Sequence, residues 1–189
     1  MTSPDSMQDR TEQTIRDFGA QWSQHPESYG YYASAEMFAD IVGPLLSPKE
    51  IEGAHVAEIG SGTGRIVNML LDCGAAHVTA LEPSEAMAAL RRNMAERASF
   101  VTCLQEKGDR LPLENYDLVV SIGVLHHIAE PGATVSRAFA ALKPGGRMLV
   151  WLYGREGNEL YLRLTTPLRW VTSRIPDRLL KALCHVLVA

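Results

Sequence analysis

The segment Ala54–Arg65, AHVAEIGSGTGR, constrains the fold more than any other part of the chain. An apolar run of strand length ends in three alternate glycines, and a helical pattern begins directly behind them. Glycine permits backbone conformations and close approaches that other residues forbid, so the turn reads as a strand-to-helix junction with room for a ligand. The strand–helix rhythm then repeats. HVTALEP and SFVTCL read as second and third strands, YDLVVSIG and RMLVWLY as fourth and fifth. Helical patterns run from Arg65 to Cys73, from a cap at Ser84 to about Glu96, and from about Gly132 to Leu142. Short β-branched strands alternating with helices imply right-handed crossovers and a mostly parallel sheet, an α/β chain.

The flanks read differently. Residues 1–47 form a helical and aromatic lead-in, carrying Phe18, Trp22, Tyr29, Tyr31 and Tyr32, that is expected to act as a lid; it is expected to be disordered to about residue 12 and weakly helical from Thr14 to Trp22. Ser34 is the expected N-cap of a helix carrying Met37, Phe38, Ile41, Val42 and Leu45, with a kink at Pro44. Residues 48–153 hold the alternating core. Residues 154–189 are expected to be a tail of two amphipathic helices broken around Pro167 and Pro176, cut short before any further strands. From Leu160 onward there are five cations against one acid, although the whole chain carries −4. That acidic balance gives no basic excess for binding nucleic acid. The basic tail is a candidate homodimer or membrane-surface contact, and no segment is long enough to span a bilayer. Three scattered cysteines and a polar N-terminus without an apolar signal core lead us to expect a cytoplasmic chain.

What the glycine turn binds is narrowed by its spacing. The dinucleotide fingerprint places glycines at relative positions 1, 3 and 6. Counted from Gly60 the third falls on Arg65, and counted from Gly62 it falls on Val67. What stands instead is Glu58-x-Gly60-x-Gly62-x-Gly64, an acid followed by alternate glycines. With Glu82 in LEPS, the segment YDLVVSIGVLHHI and the turn LKPGGRMLVW, all in order over residues 53–153, the chain resembles the class I S-adenosylmethionine-dependent methyltransferases, in particular the ubiquinone-biosynthesis-like small-molecule group.

That resemblance implies a Rossmann-like three-layer αβα sandwich with strand order 3-2-1-4-5, here without the final antiparallel hairpin. It implies S-adenosylmethionine as cofactor, S-adenosylhomocysteine as product, and a small-molecule or lipid-like acceptor. Glu58 would attract the cofactor's ammonium, directly or through water, and Gly60, Ser61, Gly62 and Gly64 would cradle its methionine part. Glu82 would accept from the ribose hydroxyls, a role that would serve a nicotinamide dinucleotide equally. Pro83 and Ser84 would flank the adenine, and Ser121 would border the pocket at the exit of the fourth strand. Many relatives carry Gly-Asp directly after the third strand. Here Cys103-Leu104 stand there, followed by Gln105, with Gly108-Asp109 further on, so the resemblance implies that Gln105 or backbone would accept from the adenine amino group.

His126 and His127 invite a metal or a general base. Adjacent histidines point apart and no third ligand lies near in sequence, so no metal is expected. His126 is the candidate for facing the pocket or deprotonating the acceptor, with a purely structural role as the competing reading. Tyr29 to Tyr32 are candidates for substrate-pocket walls. Two other functions stay open: a cofactor-binding module without catalysis, and an NAD-dependent reductase, which Arg65 and the lack of a Tyr-x-x-x-Lys pair disfavour.

Overall fold

The computed structural model describes residues 7–27, 30–154, 156–176, 179–180 and 184. The strands are β1 (His55–Ile59), β2 (His77–Leu81), β3 (Val101–Leu104), β4 (Tyr116–Ile122) and β5 (Leu142–Trp151). The helices are α1 (Met7–Gln24), α2 (Ala35–Val42), α3 (Arg65–Asp72), α4 (Met87–Asn93), α5 (Pro131–Ala141) and α6 (Glu159–Thr172). One sheet of order β3-β2-β1-β4-β5 forms, and every neighbouring pair is parallel. The chain starts at the centre, steps outward to β3, and returns beside β1 as β4. The switch point therefore lies between β1 and β4, and ligands of such sheets bind at the carboxyl ends there.

Alternation along the strands builds two apolar layers. Val56, Val78, Ala80, Leu118, Val120 and Leu149 join α3, α4 and the α2 residues Phe38 and Val42 on one face. Ala57, Ile59, Leu81 and Val119 join Ala138 and Ala141 of α5 on the other. This is the expected three-layer sandwich: both faces of the sheet are covered, so its strands are apolar on both sides.

Several boundaries differ from the sequence reading. α1 starts at Met7, where disorder was expected to about residue 12. Ser34 caps α2 as expected, its Oγ accepting from the Met37 N–H at 3.1 Å. The helix stops at Gly43 (φ 50°), so Pro44 follows the end and kinks nothing. Ser84 takes the Ala86 N–H at 3.2 Å, but α4 itself begins only at Met87. β5 takes in the LKPGG segment, with a register shift against β4 between Tyr116 and Leu118.

The chain divides into two compact units, one running through Leu152 and one from Tyr153. In the second, α6 continues through Pro167, where a break was expected.

Candidate cofactor site

A cavity of about 720 Å³ opens at the carboxyl ends of β1, β2 and β4, within the roughly 300–1,000 Å³ typical of small-molecule sites. Its floor is the glycine turn. Gly60, Gly62 and Gly64 all have positive φ (82°, 53° and 95°). The turn is tied sideways to the next strand: the Gly60 and Ser61 N–H groups both donate to the Leu81 carbonyl, at 2.8 and 2.9 Å. Glu82 completes the tie. One of its oxygens accepts the Gly62 N–H and the other the Ser84 N–H, each at 2.9 Å. Two backbone donors thus fix the carboxylate, and each oxygen keeps a second lone pair for a ligand.

Glu58 is the site's electrostatic anomaly. It is only 2% exposed, lines the cavity, and its Oε2 is buried without a hydrogen-bond partner. Burial, reinforced by the negative Glu82, pushes its pKa up to about 8. A buried carboxyl left this way is poised for a cation, because an unpaired buried charge is costly and a paired one is not.

The roof comes from α1. Thr11, Thr14, Ile15, Phe18 and Trp22 line the cavity, and Trp22 lies over Gly62. Glu12 of α1 pairs with Lys107 at 2.5 Å. Asn93 holds the lead-in to the floor, donating to the carbonyls of Pro26 (2.7 Å) and Thr63 (2.8 Å). The sequence reading made the lead-in a lid but put its walls at the tyrosines, whereas the roof residues belong to α1. Its aromatic pair Phe18 and Trp22, four residues apart on one face, was the available signal. The tyrosines expected to form walls do not: Tyr31 and Tyr32 are exposed and outside the cavity lining, and Tyr29 lies outside the described residues.

Of the expected site residues, Glu58, Gly60, Ser61, Gly62, Glu82 and Pro83 line the cavity. The others do not. Gly64 is a packing glycine: a methyl group there would sit 2.7 Å from Leu90 and 3.0 Å from Met94 of the neighbouring helix region. Ser84 is buried beside Gly19 of α1. Ser121 is fully buried and donates to the Ile59 carbonyl at 3.4 Å, bridging β4 to β1. Leu104 packs into the core, and the Gln105 amide donates to the Ser84 carbonyl at 3.3 Å. The cavity wall is instead Glu106 to Asp109. Gly108 is sterically required there, since a methyl would stand 2.6 Å from Thr134 and 2.8 Å from Ile59. The Gly108-Asp109 pair therefore lines the cavity, and Leu104 and Gln105 do not.

The histidines exchange places. His127, not His126, lines the cavity, and its ring meets Phe18 edge-on with centroids 4.8 Å apart. Burial, and then the adjacent His126, hold its pKa below the usual histidine value, which favours the neutral ring.

Comparison with known proteins agrees with this geometry. A family model described as a methyltransferase domain matches residues 57–148. A ubiquinone biosynthesis O-methyltransferase of Bradyrhizobium is 29% identical over 129 residues, covering 64% of this chain and 49% of that protein. A tRNA U34 carboxymethyltransferase of Idiomarina loihiensis is 25% identical over 150 residues, 73% of this chain and 46% of that one. A solved S-adenosylmethionine-dependent methyltransferase from Mesorhizobium loti superposes with a TM-score of 0.52 at 28% identity, over 62% of this chain and 52% of that one. The chain thus spans about half the length of the curated relatives it matches.

Proposed function

The chain carries a class I S-adenosylmethionine-dependent methyltransferase domain with S-adenosylmethionine as its cofactor, and on that premise we propose that it methylates a small-molecule or lipid-like acceptor. The observation that carries the reading is the buried Glu58 carboxyl beside the glycine turn, whose Oε2 has no hydrogen-bond partner. A zwitterionic amino-acid ligand supplies the cation it lacks. The cofactor brings an electrophilic methyl on a sulfonium, and its thioether is a good leaving group. The chain's own task is therefore positioning and exclusion of water.

Each wall of the cavity has a part in that task. Glu58 holds the ammonium, and the glycine turn with the start of α3 takes the carboxylate. Glu82, held by its two backbone donors, accepts from the ribose hydroxyls. Asp109 accepts from the adenine amino group, in place of Gln105. Phe18 and Trp22 close α1 over the site against water. His127, neutral and facing the cavity, takes the proton of a hydroxyl or amine acceptor.

Two observations support the acceptor class. The cavity wall beyond the acids is apolar, formed by Ile15, Phe18, Ile128 and Ala129. A relative acts in ubiquinone biosynthesis, whereas a net charge of −4 is poorly suited to RNA.

Calorimetry with S-adenosylhomocysteine and with NAD tests the cofactor side, followed by radiolabelled methyl transfer to a panel of phenols, amines and quinols. Binding of NAD without binding of the thioether refutes the reading. Thioether binding with no acceptor methylated supports the alternative of a binding module without catalysis.

A further inference from the structure

The second unit carries a surface that methyl transfer leaves unused. α6 has 14 residues, about 21 Å of helix. Leu160, Leu164, Leu168 and Val171 recur along it at helical spacing, with Tyr161 beside them. All are open to solvent: Leu160 is 72% exposed, Leu164 68% and Leu168 60%. They form one apolar stripe rather than scattered residues, and a stripe of that length marks a contact surface.

The charges say what it contacts. Arg163 stands on one border of the stripe, and Arg174 follows in the turn just past the helix end. The Arg174 guanidinium lies 3.9 Å over the Trp170 ring. Arg169 lies towards the opposite, polar side, and Glu159 stands alone against them, confined to the first turn. The bias extends through the sequence: residues 160–189 hold five cations and one acid, while residues 1–159 hold thirteen cations and twenty-one acids. Apolar side chains bordered by arginines, with an aromatic ring at the boundary, match an anionic bilayer surface in both polarity and sign. A nucleic acid would satisfy the arginines and leave the leucines wet. A second copy would cover the leucines and bring two basic tails together.

We propose that α6 docks this protein on an anionic lipid surface, lying in the headgroup plane with the Leu160–Val171 stripe inserted and the arginines among the phosphates. Among the described residues no helix is long and apolar enough to cross a membrane, so α6 lies on the bilayer and does not span it. The acidic remainder of the chain is repelled by the same surface, so attachment is confined to the tail. The inference rests on α6 alone and not on the identity of the methyl acceptor.

Flotation of the full chain with phosphatidylcholine vesicles, and with vesicles containing about 30% phosphatidylglycerol, tests it. The chain is expected to float with the anionic vesicles, at least about tenfold better than with the neutral ones, and to be released by high salt. The triple variant Arg163→Gln/Arg169→Gln/Arg174→Gln should weaken binding roughly tenfold to 100-fold. Leu164→Ser/Leu168→Ser should abolish it. Both variants should bind S-adenosylhomocysteine like the parent, which shows that the first unit remains folded. Equal flotation with both vesicle types, no flotation with either, or a dimer that Leu164→Ser/Leu168→Ser converts to monomer would each overturn the proposal.

Discussion

Glu58 couples cofactor binding to pH, and the sign follows from its burial. Its carboxyl is neutral at pH 7 in the ligand-free protein because desolvation lifts its pKa to about 8. A ligand ammonium at Oε2 favours the carboxylate, so binding expels the proton. Affinity should then rise with pH and level off above about 8. Between pH 8 and pH 6 the carboxylate fraction falls about 50-fold, which is about 2.3 kcal/mol of binding free energy. His127, whose pKa is lowered, titrates mainly below this window. Calorimetry of S-adenosylhomocysteine at pH 7, in two buffers of different ionisation enthalpy, should report release of about 0.9 proton per ligand. Glu58→Gln cannot release that proton. It should bind about tenfold or more weakly than the parent at pH 8, lose the pH dependence, and converge with the parent near pH 6. The same substitution should stabilise the ligand-free protein at pH 8. A raised carboxyl pKa contributes stability that is fully present below the unfolded value and is lost as pH rises to the folded one. Affinity that stays flat from pH 6 to 8, or a Glu58→Gln variant that keeps the parent's slope, would refute the reasoning.

Three further perturbations test the walls of the site. Gly64→Ala forces a methyl against Leu90 at φ 95°. It should destabilise the protein by about 1–3 kcal/mol in denaturant unfolding, with cofactor affinity nearly preserved in the folded fraction. Gly108→Ala presses on Thr134 and Ile59; it should weaken S-adenosylhomocysteine binding about tenfold, and adding Thr134→Ser, which removes the nearest methyl, should recover part of that loss. Asn93→Asp removes the donors that hold Pro26 and Thr63, so hydrogen exchange in α1 should speed up and cofactor affinity should fall roughly tenfold. Unchanged exchange in α1 would show that Asn93 does not anchor the lead-in.

Topology was legible in the sequence because its signals are local. The apolar strands, the glycine turn and the acid ending β2 are each read from a few consecutive residues, and they sufficed for the parallel sheet and for the placement of Glu58 and Glu82 at the carboxyl ends of its inner strands. Failures fell where a residue's role depends on what stands opposite. Gly64 belongs to the glycine motif by spacing, yet it is required by Leu90 and Met94, which lie about thirty residues away in sequence. Ser121 sits on the strand that borders the cavity, but its hydroxyl turns to the Ile59 carbonyl across the sheet. His126 and His127 occupy one short 3₁₀ turn, Leu125–His127, where neighbouring side chains point about 120° apart. Only the phase of that turn decides which ring faces the cleft, and sequence carries no mark of it.

The lead-in shows the same limit from the other side. α1 is polar enough to read as marginal, and as an isolated helix it would be marginal. Its helicity is supported by what it covers: Gly19 lets its backbone approach Ser84 closely, Glu12 reaches Lys107, and Phe18 meets His127. Those three contacts go to the segments that follow β2, β3 and β4, which with the glycine turn after β1 surround the cavity. The roof and the walls therefore stabilise each other, and a ligand that fills the space between them should order α1 further. A helix held this way is read from the site it closes rather than from its own residues, which is why the sequence reading began the helix at Thr14 and left Thr11 and Glu12 in a disordered lead.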